Sequence, residues 1–203
     1  IERYFDPLPF WYPSPELEAE DRFPLAAVTQ RPAAMYHSWG SQNAWLRQIL
    51  GENRLCIARS TAAALGIEDG DPVRVTSRHG SIRAIARLVD GVEPGTVWTW
   101  NAIGKRGGAW GLPAEAPEAV RGFLLNHLID ELAPPESDGR RLANADPITG
   151  QAAWYDLRVR VEKVGAGEPE ATEPRFAPLP RQPGLPDPPT VLRWGETFRG
   201  AGR

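Results

Sequence analysis

The sequence predicts a mainly β protein, a small closed barrel of short strands with flanking helices. Three observations predict it. Short apolar runs with period-two alternation recur through the middle of the chain, turn chemistry stands at their corners, and proline-rich segments lie at both ends. Residues 23–164 read as the folded domain, 1–22 as an extended arm and 165–203 as a tail.

Each element has its own warrant. The arm carries Pro7, Pro9, Pro13 and Pro15, which fix φ and remove donors, and it ends in the acidic run ELEAED. Its aromatic residues Tyr4, Phe5, Phe10, Trp11 and Tyr12 suit a protein surface better than water. Phe23–Thr29 is an apolar strand. Ser41–Leu50 reads as a helix with Ser41 as N-cap and Gly51 just past its end. Leu55–Ala58 is strand-like, and Ser60 is expected to cap a short helix, TAAAL, that Gly66 terminates.

EDGD then turns the chain into Val73 and Val75, and SRHGS returns it into Ile82, Ala84, Ala86 and Leu88, spaced two apart. VEPG makes the next turn, before Thr96–Trp100. PEAVRGFLLNHLIDEL, residues 117–132, reads as an amphipathic helix with Val120, Phe123, Leu124, Leu128 and Leu132 on one stripe. Tyr155–Val164 alternates Leu157, Val159 and Val161 with Arg158, Arg160 and Glu162, a half-buried last strand. Beyond Val164, proline, glycine and charge prevent independent folding, and Val191, Leu192, Trp194 and Phe198 form an apolar docking end.

Composition narrows the function. A chain of 203 residues can bury a core as about one domain, and a net charge of -3 with interspersed signs gives no nucleic-acid footprint. No apolar run is long enough to cross a bilayer as a helix. The opening IERYFDPLPFWYPSP is neither an initiator methionine nor a signal peptide, so the expectation is a piece of a longer chain. Cys56 is the single cysteine and reads as a core thiol, which excludes a disulfide or a multi-cysteine cluster within this chain. His37, His79 and His127 show no ligand spacing.

Polar groups converge at two places. Thr29, Gln30 and Arg31 end the first strand, where a hydroxyl and a planar guanidinium can hold phosphate or sugar. His37, Ser38 and Trp39 follow in one loop, offering hydrogen bonds beside an indole to a heteroaromatic ring. A second loop, NAIGKRGGAWG at 101–111, has glycines for close approach and Lys105 and Arg106 for phosphates; it reads equally as a solvated loop. It lacks the GxxxxGK[ST] of a P-loop.

These segments resemble the C-terminal dinucleotide-binding domain of the molybdopterin oxidoreductases. In that family a strand leads to T-x-R and then to a histidine or tryptophan followed by a hydroxyl residue, here Thr29, Arg31, His37 and Ser38. The signature LGI-x-DGD-x-V-x-V-x-S-x-x-G is matched by Leu65, Gly66, Ile67, Asp69, Gly70, Asp71, Val73, Val75, Ser77 and Gly80. PG-x-V follows at Pro94, Gly95 and Val97, N-x-L at Asn126 and Leu128, and DP-x-(S/T)-G at Asp146, Pro147, Thr149 and Gly150. Ala152 or Ala153 stands where the family usually has a proline.

The resemblance implies a six-stranded double-psi β-barrel that binds molybdopterin guanine dinucleotide. It implies ligand contacts from Thr29, Arg31, His37, Ser38 and Asn126, with guanine read by one or more of Asn144, Asp146 and Gln151; the residues themselves add Gln30, Trp39 and Lys105, the last in a loop where the family usually has something different. The LGIEDGD signature itself is expected to be structural. A molybdenum or tungsten centre, and any iron–sulfur cluster, would be held by other parts of a bacterial or archaeal oxidoreductase; a further expected partner is an iron–sulfur subunit. This chain alone is then expected to be inactive. The substrate and the compartment stay open, with a lean toward sulfur compounds. Two rivals use similar barrels: a self-processing pyruvoyl decarboxylase, for which Gly80-Ser81 and Gly40-Ser41 are available, and a protein-interaction module.

Overall fold

The computed structural model describes residues 22–37, 40, 43–101, 103, 123–129 and 156–165. Six strands form within them: β1 Leu25–Gln30, β2 Leu55–Ala58, β3 Pro72–Thr76, β4 Ser81–Val89, β5 Thr96–Trp100 and β6 Arg158–Lys163. They close into a barrel in the order β1-β5-β2-β4-β3-β6. β1 runs parallel to β5, and β2 parallel to β4, while the other four pairs are antiparallel. The predicted barrel is present, and closure gives each of these strands a neighbour on both sides.

Alternation sorts the side chains. Val73, Val75, Ile82, Ala84, Ala86, Val97, Val159 and Val161 point inward and meet Leu55, Ile57, Leu125 and Leu128 in one core. Each fully buried aliphatic side chain contributes about 1.5–3 kcal/mol. β2, between two neighbours, is buried along its whole length, Cys56 included. Burial pushes the Cys56 thiol above its ordinary range, as suits a packed apolar residue.

Strand directions give the barrel two distinct ends. The carboxyl ends of β1, β3 and β5 and the amino ends of β2, β4 and β6 meet at one end, called the upper rim below; the opposite ends form the lower rim. The DGD signature sits at the lower rim. Asp69 Oδ1 accepts from Leu88 N at 2.7 Å, Gly70 at φ +88° donates to Ala86 O, and Asp71 O accepts from Ala86 N. Asp71 Oδ2 also accepts from Glu68 N at 2.7 Å and pairs with Lys163 Nζ at 2.6 Å. The signature clamps β3, β4 and β6 together and is structural, as expected.

Helix α2, Arg59–Ala64, precedes it, and Ser60 is not its cap. The N-cap position is Ala58, without a side-chain hydrogen bond. Its end matches the reading: Gly66 at φ +67° donates to Ala63 O and Ile67 N to Ala62 O, closing a Schellman motif over buried Ala62 and Ile67. Helix α1 is shorter than predicted, Ala44–Ile49, and Asn43 caps it through Oδ1 to Trp45 N at 2.9 Å; Ser41 lies outside the described residues.

The predicted helix over 117–132 is corrected where it is described. Leu125–Leu128 make one 3₁₀ turn between extended Leu124 and Ile129. The physical reason is competition for carbonyls. Asn53 Nδ2 donates to Phe123 O and Ser77 Oγ to Leu128 O, so barrel groups use acceptors that an α-helix would use itself. Gly80 permits the close approach, since a Cβ there would stand 2.9 Å from His127 O. Val120 and Leu132, like the arm and most of the tail, lie outside the described residues.

Two outcomes follow. Gly80→Ala should cost about 1–3 kcal/mol by overpacking against that carbonyl, read from urea unfolding. The Lys163 hydrogen bond, then the Glu68 amide, hold the Asp71 carboxyl below its usual range, and Asp71 in turn raises Lys163. The carboxylate's contribution is full above the ordinary aspartate range and is lost as pH falls through the depressed value. The ammonium's is full below the ordinary lysine range and is lost as pH rises through the raised one. Asp71→Asn should therefore be less stable than the parent at neutral pH, with the gap closing in acid.

Candidate functional site

The sequence-derived residues that the structure describes lie toward the upper rim. Gln30 and Arg31 leave β1 there exposed, and Thr29 faces inward beside Thr99 of β5, its register partner. His37 lies in the following loop at φ +51°, its ring edge-on to Tyr36 at 4.8 Å. Met35 anchors that loop, packing with Ile103 and against Leu46, Leu50 and Trp100. Asn126, exposed on the 3₁₀ turn, reaches the same rim because that turn sits on the β3–β4 hairpin through Ser77 and Gly80. Arg31, His37 and Asn126 thus belong to one end of the barrel. Ser38, Trp39, Lys105, Asn144, Asp146 and Gln151 lie outside the described residues.

The residue that assembles this rim is Asn53, which the sequence reading did not single out. Its side chain is 3% exposed. Nδ2 donates to Trp100 O at 2.8 Å, Ile103 O at 2.9 Å and Phe123 O at 3.1 Å. Oδ1 accepts from Thr99 Oγ1 at 2.6 Å and Trp100 N at 3.1 Å. One amide therefore joins the end of β5, the residues after it and the segment before the 3₁₀ turn. In the sequence, an asparagine between Gly51 and a strand reads as an ordinary loop residue.

The rim also holds unsatisfied polar atoms. Thr29 Oγ1 and Asn101 Oδ1 are enclosed without a hydrogen-bond partner. They stand on adjacent stretches of the chain, since Asn101 N donates to Gln30 O at 3.0 Å. Unpaired buried groups cost about 1–3 kcal/mol each, so two at one place mark a surface suited to a polar ligand. Asp156, two residues before β6, is the second non-glycine residue with positive φ among the described residues, +68°, and it too lies at this rim. Among the described residues no group of three or more His, Cys, Asp or Glu could hold a metal, and no helix is long and apolar enough to cross a membrane.

Asn53→Ala should destabilise the domain by about 3–5 kcal/mol, because Thr99, three carbonyls and an amide lose partners together. Chemical denaturation measures this, and a loss under about 1 kcal/mol would remove Asn53 from its central place.

The chain is similar to known proteins. The family model described as "Molydopterin dinucleotide binding domain" matches residues 25–141. A sulfite dehydrogenase subunit of Allochromatium vinosum is 59% identical over 186 residues, covering 91% of this chain and 19% of that protein. The molybdopterin-containing subunit of the arsenate respiratory reductase of Shewanella sp. strain ANA-3 is 30% identical over 156 residues, 71% of this chain and 17% of that one. Among solved structures, acetylene hydratase from Pelobacter acetylenicus shares the fold at TM-score 0.53 and 18% identity, over 79% of this chain and 22% of that one. The chain spans about a fifth of the length of these relatives. Such a match, on a closed barrel, leaves neither the self-processing decarboxylase nor the interaction module as the better description. The chain belongs to the molybdopterin dinucleotide-binding domain family, and its cofactor is a molybdopterin guanine dinucleotide.

Proposed function

We propose that this domain grips the nucleotide end of the cofactor within the catalytic subunit of a sulfite-oxidising enzyme. The observation that carries the substrate class is the 59% identity to part of a sulfite dehydrogenase, over nearly the whole of this chain. The reaction would convert sulfite and water to sulfate, two protons and two electrons. When bound, the metal-bearing pterin supplies the redox centre for that change.

This chain's own part is recognition. Arg31 offers a planar, permanently charged fork to the diphosphate. Thr29 Oγ1 and Asn101 Oδ1 are the buried groups that a polar ligand would satisfy, the first able to donate or accept and the second to accept. Gln30, His37 and Asn126 add hydrogen-bonding groups at the same rim. Ser38, Trp39 and Lys105 complete the proposed contact set, with guanine selected by Asn144, Asp146 or Gln151. The rest of the catalytic subunit would hold the metal, and an iron–sulfur subunit would take the electrons.

The test uses the intact catalytic subunit. Sulfite should reduce a dye acceptor, and a protein that reduces it only with another substrate would overturn the sulfite reading. Independently, Arg31→Ala should lower the guanine nucleotide released per polypeptide on acid hydrolysis. A charge-assisted contact is worth about 1.5–3 kcal/mol, and an unchanged nucleotide content would remove Arg31 from the binding surface.

A further inference from the structure

One side chain clasps the chain on both sides of Asn101. Asn53 Nδ2 donates to Trp100 O at 2.8 Å and to Ile103 O at 2.9 Å, and its Oδ1 accepts from Trp100 N at 3.1 Å. These bonds continue the ladder between β2 and β5, whose antiparallel pairing runs through Ile57–Val97 and Cys56–Trp98. Two positions beyond Trp98, the N–H and C=O of Trp100 are taken by a carboxamide, which carries the donor and the acceptor of a peptide group. On its other edge β5 stays on β1, where Asn101 N donates to Gln30 O at 3.0 Å. The end of β5 is thus held by backbone on one side and by a side-chain amide on the other.

That amide has one workable orientation. Buried Thr99 donates through Oγ1 to Asn53 Oδ1 at 2.6 Å. Turned over, Nδ2 would meet the Trp100 N–H, and Oδ1 would meet the carbonyls of Trp100, Ile103 and Phe123. The Asn101 side chain leaves the bend so defined, and its Oδ1 is enclosed without a hydrogen-bond partner. Thr29 Oγ1, the other such atom at this rim, belongs to the register partner of Thr99.

We propose that Asn53 is a positioning residue for the cofactor and acts through Asn101. The clasp sets the course of the chain from Trp100 to Ile103, so that Asn101 Oδ1 accepts from the dinucleotide without first rearranging the bend. The inference rests on the reading of the upper rim as the nucleotide-binding surface.

Release of the cofactor from the intact catalytic subunit tests it, followed as the acid-releasable guanine nucleotide left on the folded polypeptide over time. Asn101→Ala should speed release about fivefold, the factor for a hydrogen bond worth about 1 kcal/mol. Asn53→Asp keeps both accepted bonds but loses the donated ones, and should speed release about as much. Thr99→Val removes only the hydroxyl that steadies Oδ1. It should speed release about twofold, and it keeps the test decisive if the aspartate variant folds poorly.

The deciding readout is coupling. In an Asn101→Ala background, neither Asn53→Asp nor Thr99→Val should speed release further. A general loosening of the rim would instead multiply with Asn101→Ala, and that result would overturn the proposal. Arg31→Ala separates this inference from the reading beneath it. If Arg31→Ala speeds release while Asn53→Asp and Thr99→Val do not, the rim still binds nucleotide and the proposal falls. If none of the substitutions alters release, both fall.

Discussion

The upper end of this barrel depends on one buried amide. Asn53 saturates its side chain with three carbonyls, a hydroxyl and a backbone amide. Those partners come from β5, from the residues just after it and from a segment some seventy positions along the chain. No apolar side chain could take its place, because every one of those groups would then be buried without a partner. The amide decides where the chain leaves β5 and where it comes back to the 3₁₀ turn. It also frees Phe123 and its neighbours from helical hydrogen bonding.

The molecule divides its labour between two ends. At the lower rim, carboxylates are consumed by the fold: Asp69 accepts from a β4 amide, and Asp71 ties a turn to Lys163. Glycines there adopt positive φ to let those turns close. At the upper rim, polar atoms are left over. Thr29 Oγ1 and Asn101 Oδ1 lack protein partners, and two non-glycine residues, His37 and Asp156, adopt left-handed backbone. Leftover hydrogen-bonding capacity and backbone cost at the same end are what a ligand surface looks like before its ligand is considered.

The loops of the upper rim pack in a cluster that is separate from the barrel core. Met35 and Ile103, with Leu46, Leu50 and Trp100, form a second apolar cluster above the rim. It joins the loop carrying Arg31 and His37 to α1 and to the residues after β5. The edge-on pair Trp98 and Trp100 lines the outer side of β5 beneath it, rings 4.8 Å apart. The described loops at this rim are thus braced against one another.

The sequence by itself determined the strands. Period-two alternation in Ile82–Leu88 and Leu157–Val161, and turn residues at EDGD, VEPG and Gly66, are local properties that any chain reads out through sterics and solvent exclusion. It also carried the family, through the resemblance borne by TQR, HSW and LGIEDGD. Only the tertiary structure decided the rest. It placed the arginine, the histidine and Asn126 at one end through the directions of six strands, which no local pattern encodes. It replaced the apolar stripe of 123–128 with a single 3₁₀ turn, because Asn53 and Ser77 compete for its carbonyls from distant positions. And it gave Asn53 its role, since the value of a buried amide lies in partners that exist only once the chain has closed.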